Sequence, residues 1–255
     1  MPQSNGIYYA ESRGGGRLFP PVVLIHGAGS NHLVWPAEIR RLKGYQVLAL
    51  DLPGHGKSQG VALHAVDDYA RAVEEFLSGL NIYSAILIGH SLGGAVALDL
   101  CLSHPGRVVG LGLISSGARL SMSVEILESL SNPATFALAY SLLEKRLFGS
   151  EVDEAVAEKT LAMLRSVRPG VLYGDWSACE RFDRCEEVSR ITCPAWVAVG
   201  TEDRLTPVYY SRYLVGQLAS AELDLYHGAG HMLLLEKPQA LARGLARFLS
   251  RIEVL

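Results

Sequence analysis

The sequence predicts an α/β protein, a doubly wound and mostly parallel sheet with a helical insertion between two of its core strands. Three observations carry that expectation: short apolar runs recur along the chain, helical periodicity fills the gaps between them, and one long stretch is helical throughout. A strand covered on both faces reads as a continuous apolar run, whereas a half-exposed strand alternates apolar with polar residues. Alternation of such runs with helices is the pattern of a parallel sheet wrapped on both sides.

The runs are PVVLIHG (21–27), YQVLALD (45–51), SAILIGH (84–90), VVGLGLIS (108–115), PAWVAVG (194–200) and AELDLYH (221–227). All are expected as parallel strands covered on both faces. Before the first of them, GGG at 14–16 reads as a turn. AVDDYARAVEEFLSGL places Tyr69, Val73, Phe76, Leu77 and Leu80 at helical spacing. GGAVALDLCLSH supplies a second helix, which must stop before Pro105 because the residue preceding a proline is pushed out of the helical region. ALARGLARFLSRI repeats Leu241, Leu245, Phe248, Leu249 and Ile252 on one face.

Between Arg119 and Val188 the alternation stops. VEILESL, ATFALAYSLLEKRLF and DEAVAEKTLAMLRSV follow one another, broken at Pro133, Gly149 and Pro169. A helical excursion of that length is expected to be a functional cap rather than a linker. The chain thus divides into a core, residues 1–118 and 189–255, and a helical lid, residues 119–188.

Composition excludes several function classes. With 255 residues, 49% of them hydrophobic, the chain is long enough for one large core. Its net charge of −3 comes with scattered Lys and Arg, so no basic stripe exists to hold phosphate backbones and no nucleic-acid partner is expected. The N-terminus has no basic segment followed by an apolar one, and no run reaches the ~18 apolar residues of a membrane span. These features predict a soluble, unexported, cytoplasmic protein with no membrane partner. Cys101, Cys179, Cys185 and Cys193 form neither a C-x-x-C pair nor a dense framework, and are expected as reduced, mostly packed thiols without zinc.

The chemistry lies in LIGHSLGGA, residues 87–95, where one serine stands between Gly89 and Gly93 at the junction of a strand and a helix. Glycine in an element interior costs about 0.5–1 kcal/mol, so its use on both sides of Ser91 needs a reason. A serine on a tight strand-to-helix turn takes strained backbone angles, and the residues flanking it crowd one another unless they lack side chains. The helix that follows presents free amides and the positive end of its dipole beside the hydroxyl.

Serine needs a base to take its proton, and the base needs an orienting carboxylate. AVGTEDRLTP puts Asp203 just past one apolar strand, and LYHGAGHML puts His231 in a loop past the next. In a parallel sheet all strand C-terminal ends share one rim, so the three segments converge. The turn His26-Gly27-Ala28-Gly29 ends another strand, and its Ala28 amide pairs with that of Leu92 as a two-donor oxyanion hole. Glu202 competes with Asp203 as the acid; Asp99, Asp175 and Asp183 lie elsewhere. His26 and His90 adjoin turns with their own geometric duties, His32 reads as a surface helix cap, and His64, His104 and His227 as loop or surface residues. DLPGHGKS lacks the first glycine of a phosphate-binding loop, having Asp51 there, and GLGLIS lacks the third glycine of a dinucleotide fingerprint, having Ser115.

GHSLGG around Ser91, together with HGAG, DLPGHGKS, the Asp203 segment and GAGHM, resembles the α/β-hydrolase superfamily, in its branch of small capped serine esterases, over residues 20 to 250. The resemblance implies Ser91 as nucleophile, His231 as base, Asp203 as acid, Ala28 and Leu92 as the oxyanion hole, 119–188 as the lid, and no cofactor. The expected function is a carboxylesterase working through an acyl-enzyme on a small molecule that carries an acyl group. The same parts serve thioesters, lactones, peracid chemistry and the carbon–carbon bonds of dienone acids. Enzymes of that last kind often carry an aromatic residue after the base, where this chain has Met232. A non-catalytic ligand receptor on the same fold is a further alternative. Among the lid's apolar residues, which include Met122, Phe136, Tyr140 and Trp176 are expected with Met232 to line the pocket. The lid cations Lys145, Arg146, Arg165, Arg168, Arg181 and Arg184 are expected to face solvent, which favours neutral substrates.

Overall fold

The computed structural model describes residues 2–14, 20–121 and 123–252. Gly15 and Gly16 of the expected turn, and Met122, lie outside the described residues. One sheet holds β1 (Gln3–Ser4), β2 (Ile7–Arg13), β3 (Val22–Ile25), β4 (Gln46–Leu50), β5 (Ala85–His90), β6 (Val108–Ile114), β7 (Ala195–Gly200) and β8 (Ala221–Tyr226), in the spatial order β1-β2-β4-β3-β5-β6-β7-β8. All pairings from β4 to β8 are parallel, and β1 and β2 join antiparallel at one edge.

Each apolar run of the sequence is a strand here, and alternate side chains feed two separate cores. Val23 and Ile25 of β3 face α2 (Val66–Gly79) and α3 (Leu92–Ser103), whereas Val22 and Leu24 pack on the side of α10 (Pro238–Leu249) and its neighbours α1 (Ala37–Arg40) and α9 (Leu233–Glu236). The C-terminal helix buries Leu241, Leu245, Phe248 and Leu249 in that second core. α8 (Val208–Gln217) joins the first core through Leu214.

β8 departs from the expectation of a strand covered on both faces. Its residues are half-buried and Leu225 is exposed, because β8 is the sheet's edge and pairs only with β7. Its polar positions meet α10 and the residues just after it: Asp224 accepts from Arg247, and Glu222 pairs with Arg251.

Four helices fill the excursion between β6 and β7: α4 (Val124–Ser131), α5 (Phe136–Leu147), α6 (Glu154–Ser166) and α7 (Pro169–Arg181). Pro169 opens α7 at a position where its missing N–H removes no helical bond. An antiparallel bridge between Arg119 and Asp183 joins the two ends of the excursion. No helix among the described residues is long and apolar enough to cross a membrane, and all four cysteines are free.

Candidate active site

Ser91 occupies the single position between β5 and α3, with φ 53° and ψ −118°. A residue with a side chain takes such left-handed angles at a cost of about 1–3 kcal/mol, so its surroundings must hold it. They do: Ser91 N donates to Ile114 O at 2.9 Å, and Ser116 Oγ donates to Ser91 O at 2.9 Å. A side chain at Gly89 would overlap the Gly93 carbonyl, the crowding expected from the sequence. One at Gly93 would instead overlap the Ile25 and His26 carbonyls. Gly93 therefore lets α3 close onto the end of β3, which brings the turn after β3 beside the serine.

His231 sits in the loop after β8, and its Nδ1 lies 3.0 Å from Asp203 Oδ2 and 3.1 Å from Oδ1. Since a carboxylate only accepts, Nδ1 carries a proton. Asp203 is also held by Leu205 N at 2.9 Å, Thr206 N at 2.8 Å and Thr206 Oγ1 at 2.7 Å. Burial alone would raise its pKa, but the His231 contact and the Thr206 donors outweigh burial and hold it below the usual carboxylate value. Glu202 turns away, accepting from Ser150 N and Ser150 Oγ, both at 2.7 Å. Asp99 is likewise structural, paired with Arg184 at 2.8 Å.

The turn after β3 runs against the serine: a side chain at Gly27 would stand 2.9 Å from His90 Nδ1 and 3.1 Å from Ser91 Cβ. Among the described residues, the amides of Ala28 and Leu92 have no hydrogen-bond partner. His26 staples the turn, donating from Nδ1 to Gly27 O at 2.8 Å and accepting from Leu52 N at 2.9 Å. His90 donates from Nε2 to His231 O at 2.9 Å. Burial lowers the pKa of both, and they stay neutral. His32 is not the surface cap expected. It is buried, with N and Nδ1 bonded to Asp51 Oδ1 at 2.7 and 2.8 Å, and Asn31 caps the short 3-10 turn instead.

Ser91, His231 and Ala28 line one cavity, which encloses about 640 Å³ of empty space including its mouth. Met232 and Trp176 belong to its wall, with Leu143, Leu147 and Leu164 from the excursion. Phe136 and Tyr140 do not; Tyr140 packs into the second core. None of the six cations expected to face solvent is in the wall, nor is Arg119 or Lys159. Arg165 lies 3.6 Å from Glu144 and Arg168 donates to Gly54 O at 2.9 Å. Among the described residues no cluster of His, Cys, Asp and Glu is arranged to hold a metal ion.

Three residues that matter here were given no role from the sequence. Thr206 braces Asp203, and the Asp-x-x-Thr spacing ahead of Pro207 was a usable signal. Glu236 Oε2 accepts from Gly149 N and Gly230 N, both at 2.9 Å, and so ties the α5–α6 junction to the His231 loop. Asp175, fully buried on α7, accepts from Gly29 N in the turn after β3 at 2.8 Å.

The chain is similar to a pimeloyl-[acyl-carrier protein] methyl ester esterase of Neisseria meningitidis, 31% identical over 234 residues that cover 87% of this chain and 74% of that protein. It is similar also to the solved structure of a thermophilic esterase, 33% identical with a TM-score of 0.84, covering 98% of this chain and 95% of the other. The enol-lactonase of Burkholderia xenovorans shares the fold, with a TM-score of 0.84 at 24% identity over 97% of this chain and 98% of its own. The model of the alpha/beta hydrolase family matches residues 22–244, a span that takes in β3 through β8 and each side chain assembled above. The chain is a hydrolase of that fold and belongs to the alpha/beta hydrolase family.

Proposed function

We propose that the protein is a serine carboxylesterase that cleaves small to medium neutral esters through an acyl-enzyme. The observation that carries this reading is Ser91, held at φ 53° in the wall of the same cavity as a histidine whose Nδ1–H donates to a buried carboxylate. His231 Nε2 accepts the Ser91 proton as the hydroxyl attacks the ester carbonyl, and returns it to the departing alkoxide. The Ala28 and Leu92 amides, which lack other partners, hold the oxyanion. Water activated by the same nitrogen then releases the acid. Residues 119–188 act as the lid, and their apolar side chains with Met232 receive the acyl or alcohol part. The esterase names of the relatives support this substrate class.

A fluorophosphonate probe and a panel of p-nitrophenyl esters, thioesters, lactones and dienone acids test the assignment. Ser91→Ala is expected to lose labelling and about 10⁴–10⁶-fold in turnover while keeping its fold. Neutral short and medium esters should be cleaved at least about tenfold faster than matched esters with a terminal carboxylate, since an unpaired charge in an apolar chamber is costly. A Ser91→Ala variant with more than a tenth of wild-type turnover would rule out the covalent route.

A further inference from the structure

Asp175 lies near the middle of α7, fully buried, and among the described residues its carboxyl oxygens find no partner in the excursion that carries it. Its Oδ2 accepts from Gly29 N at 2.8 Å and from His55 Nε2 at 2.8 Å, and its Oδ1 accepts from Tyr69 OH at 2.6 Å. The partners come from three places in the core: the turn after β3, the loop after β4, and α2. His55 Nδ1 also faces an acceptor, Pro53 O at 3.0 Å. Both ring nitrogens of His55 thus face acceptors, an arrangement that favours the protonated ring. Burial alone would favour the neutral ring; the Asp175 charge and hydrogen bond reverse that and raise the His55 pKa.

A polar group buried this deep needs such a set of hydrogen-bond partners. Their location is what bears on function. Gly29 follows Ala28 directly and has φ +62°, and a side chain there would press into Leu164 and Leu172 of the excursion. The Asp175 bond fixes the peptide plane between Ala28 and Gly29, and so limits how far the Ala28 amide can swing.

We propose that Asp175 is the positioning residue of the oxyanion turn: seated by α7, its carboxylate holds the Gly29 amide so that the Ala28 amide is fixed for the oxyanion. The site is then complete only while α7 is docked on the core. This inference rests on the serine-hydrolase reading above. Asp175 itself touches no reacting atom.

The test compares Asp175→Ala, Asp175→Asn and Tyr69→Phe with wild type on p-nitrophenyl butyrate, well below each variant's unfolding midpoint. Losing an oxyanion donor outright costs about 10²–10³ in kcat, so losing its alignment should cost about 10–100-fold in kcat with KM changed less than about threefold. Affinity for an alkyl boronic acid, which forms a tetrahedral adduct with the serine, should fall in the same proportion, while affinity for butyrate should not. Tyr69→Phe removes a donor from the carboxylate but leaves the Gly29 bond, and should lower stability with kcat nearly unchanged. Asp175→Asn keeps the shape and carries the test if the alanine variant does not fold. If the folded Asp175 variants keep kcat within about threefold of wild type, or match Tyr69→Phe in both kcat and boronate affinity, the proposal is overturned. Wild-type turnover with its loss in Ser91→Ala establishes the underlying reading separately; failure there shows as an inactive wild type.

Discussion

At Asp203 two adjacent carboxylates have opposite fates. Asp203 points inward to His231 and Thr206, while Glu202 reaches outward to Ser150. An acid that orients the base should be lost catalytically rather than structurally when it becomes an amide. Asp203→Asn is therefore expected to lower ester turnover about 10³–10⁴-fold with the unfolding midpoint little changed. Glu202→Gln should leave turnover within about threefold, because its bonds anchor the surface of the α5–α6 junction. The reverse order of effects would make Glu202 the acid. That Ser91, Asp203 and His231 lie near one another was legible because each follows an apolar strand. Asp175 was not, although a lone carboxylate in the apolar segment GVLYGDWSAC announces a buried charge. Its three partners are far away in sequence, and no local spacing could name them.

Among the elements, the antiparallel edge shows what reading by apolar runs overlooks. β1 and β2 carry polar residues on their open face, so no continuous run marks them. Yet Asn5-Gly6 between them has φ 46° and φ 79°, the left-handed pair that a two-residue hairpin requires and that Asn-Gly favours. The edge strand β8 was found by its run, but its burial was misjudged because a sequence does not say which strand lies outermost. The α5–α6 junction and the His231 loop meet through glycines: side chains at Gly149 and Gly230 would each overlap the other segment's backbone. Glu236 Oε2 satisfies both amides there. Burial is the main reason its pKa lies above the usual value, with the two amides acting against it. Glu236→Ala leaves two buried donors without a partner, which costs about 1–3 kcal/mol each. Glu236→Gln retains one carbonyl oxygen that can accept both bonds. Chemical denaturation should show the alanine variant destabilised by about 2–4 kcal/mol and the glutamine variant by less than half of that; equal losses would mean that the charge, not the acceptor, is what the junction needs.

Over the whole molecule, the site is built on buried histidines whose charges have been settled by their surroundings. His26 and His90 are neutral. Burial is the largest cause for each, followed by the repulsion of His55 on His26 and of His231 on His90, whose pKa falls to about 3. In the unfolded chain each titrates near about 6.5. Below that pH the unfolded state binds protons that the folded state refuses, so stability declines as pH falls, on the order of 1.4 kcal/mol per pH unit for each group. His55 acts in the opposite direction. Its raised pKa gives a contribution that is complete below about 6.5 and lost as pH rises through the folded value. Asp203, lowered, contributes above the ordinary carboxylate range and is lost only at more acid pH. The histidine effect thus dominates between about pH 6 and pH 4, and unfolding midpoints measured across that window should fall steeply. His90→Gln has an amide that can donate to His231 O in place of Nε2, but it takes up no proton in either state. Its stability should therefore decline more gently than wild type, by about 1.4 kcal/mol per pH unit. Parallel slopes for the two proteins would show that His90 is protonated in the fold, and that the packing between Gly27 and His231 admits a charge.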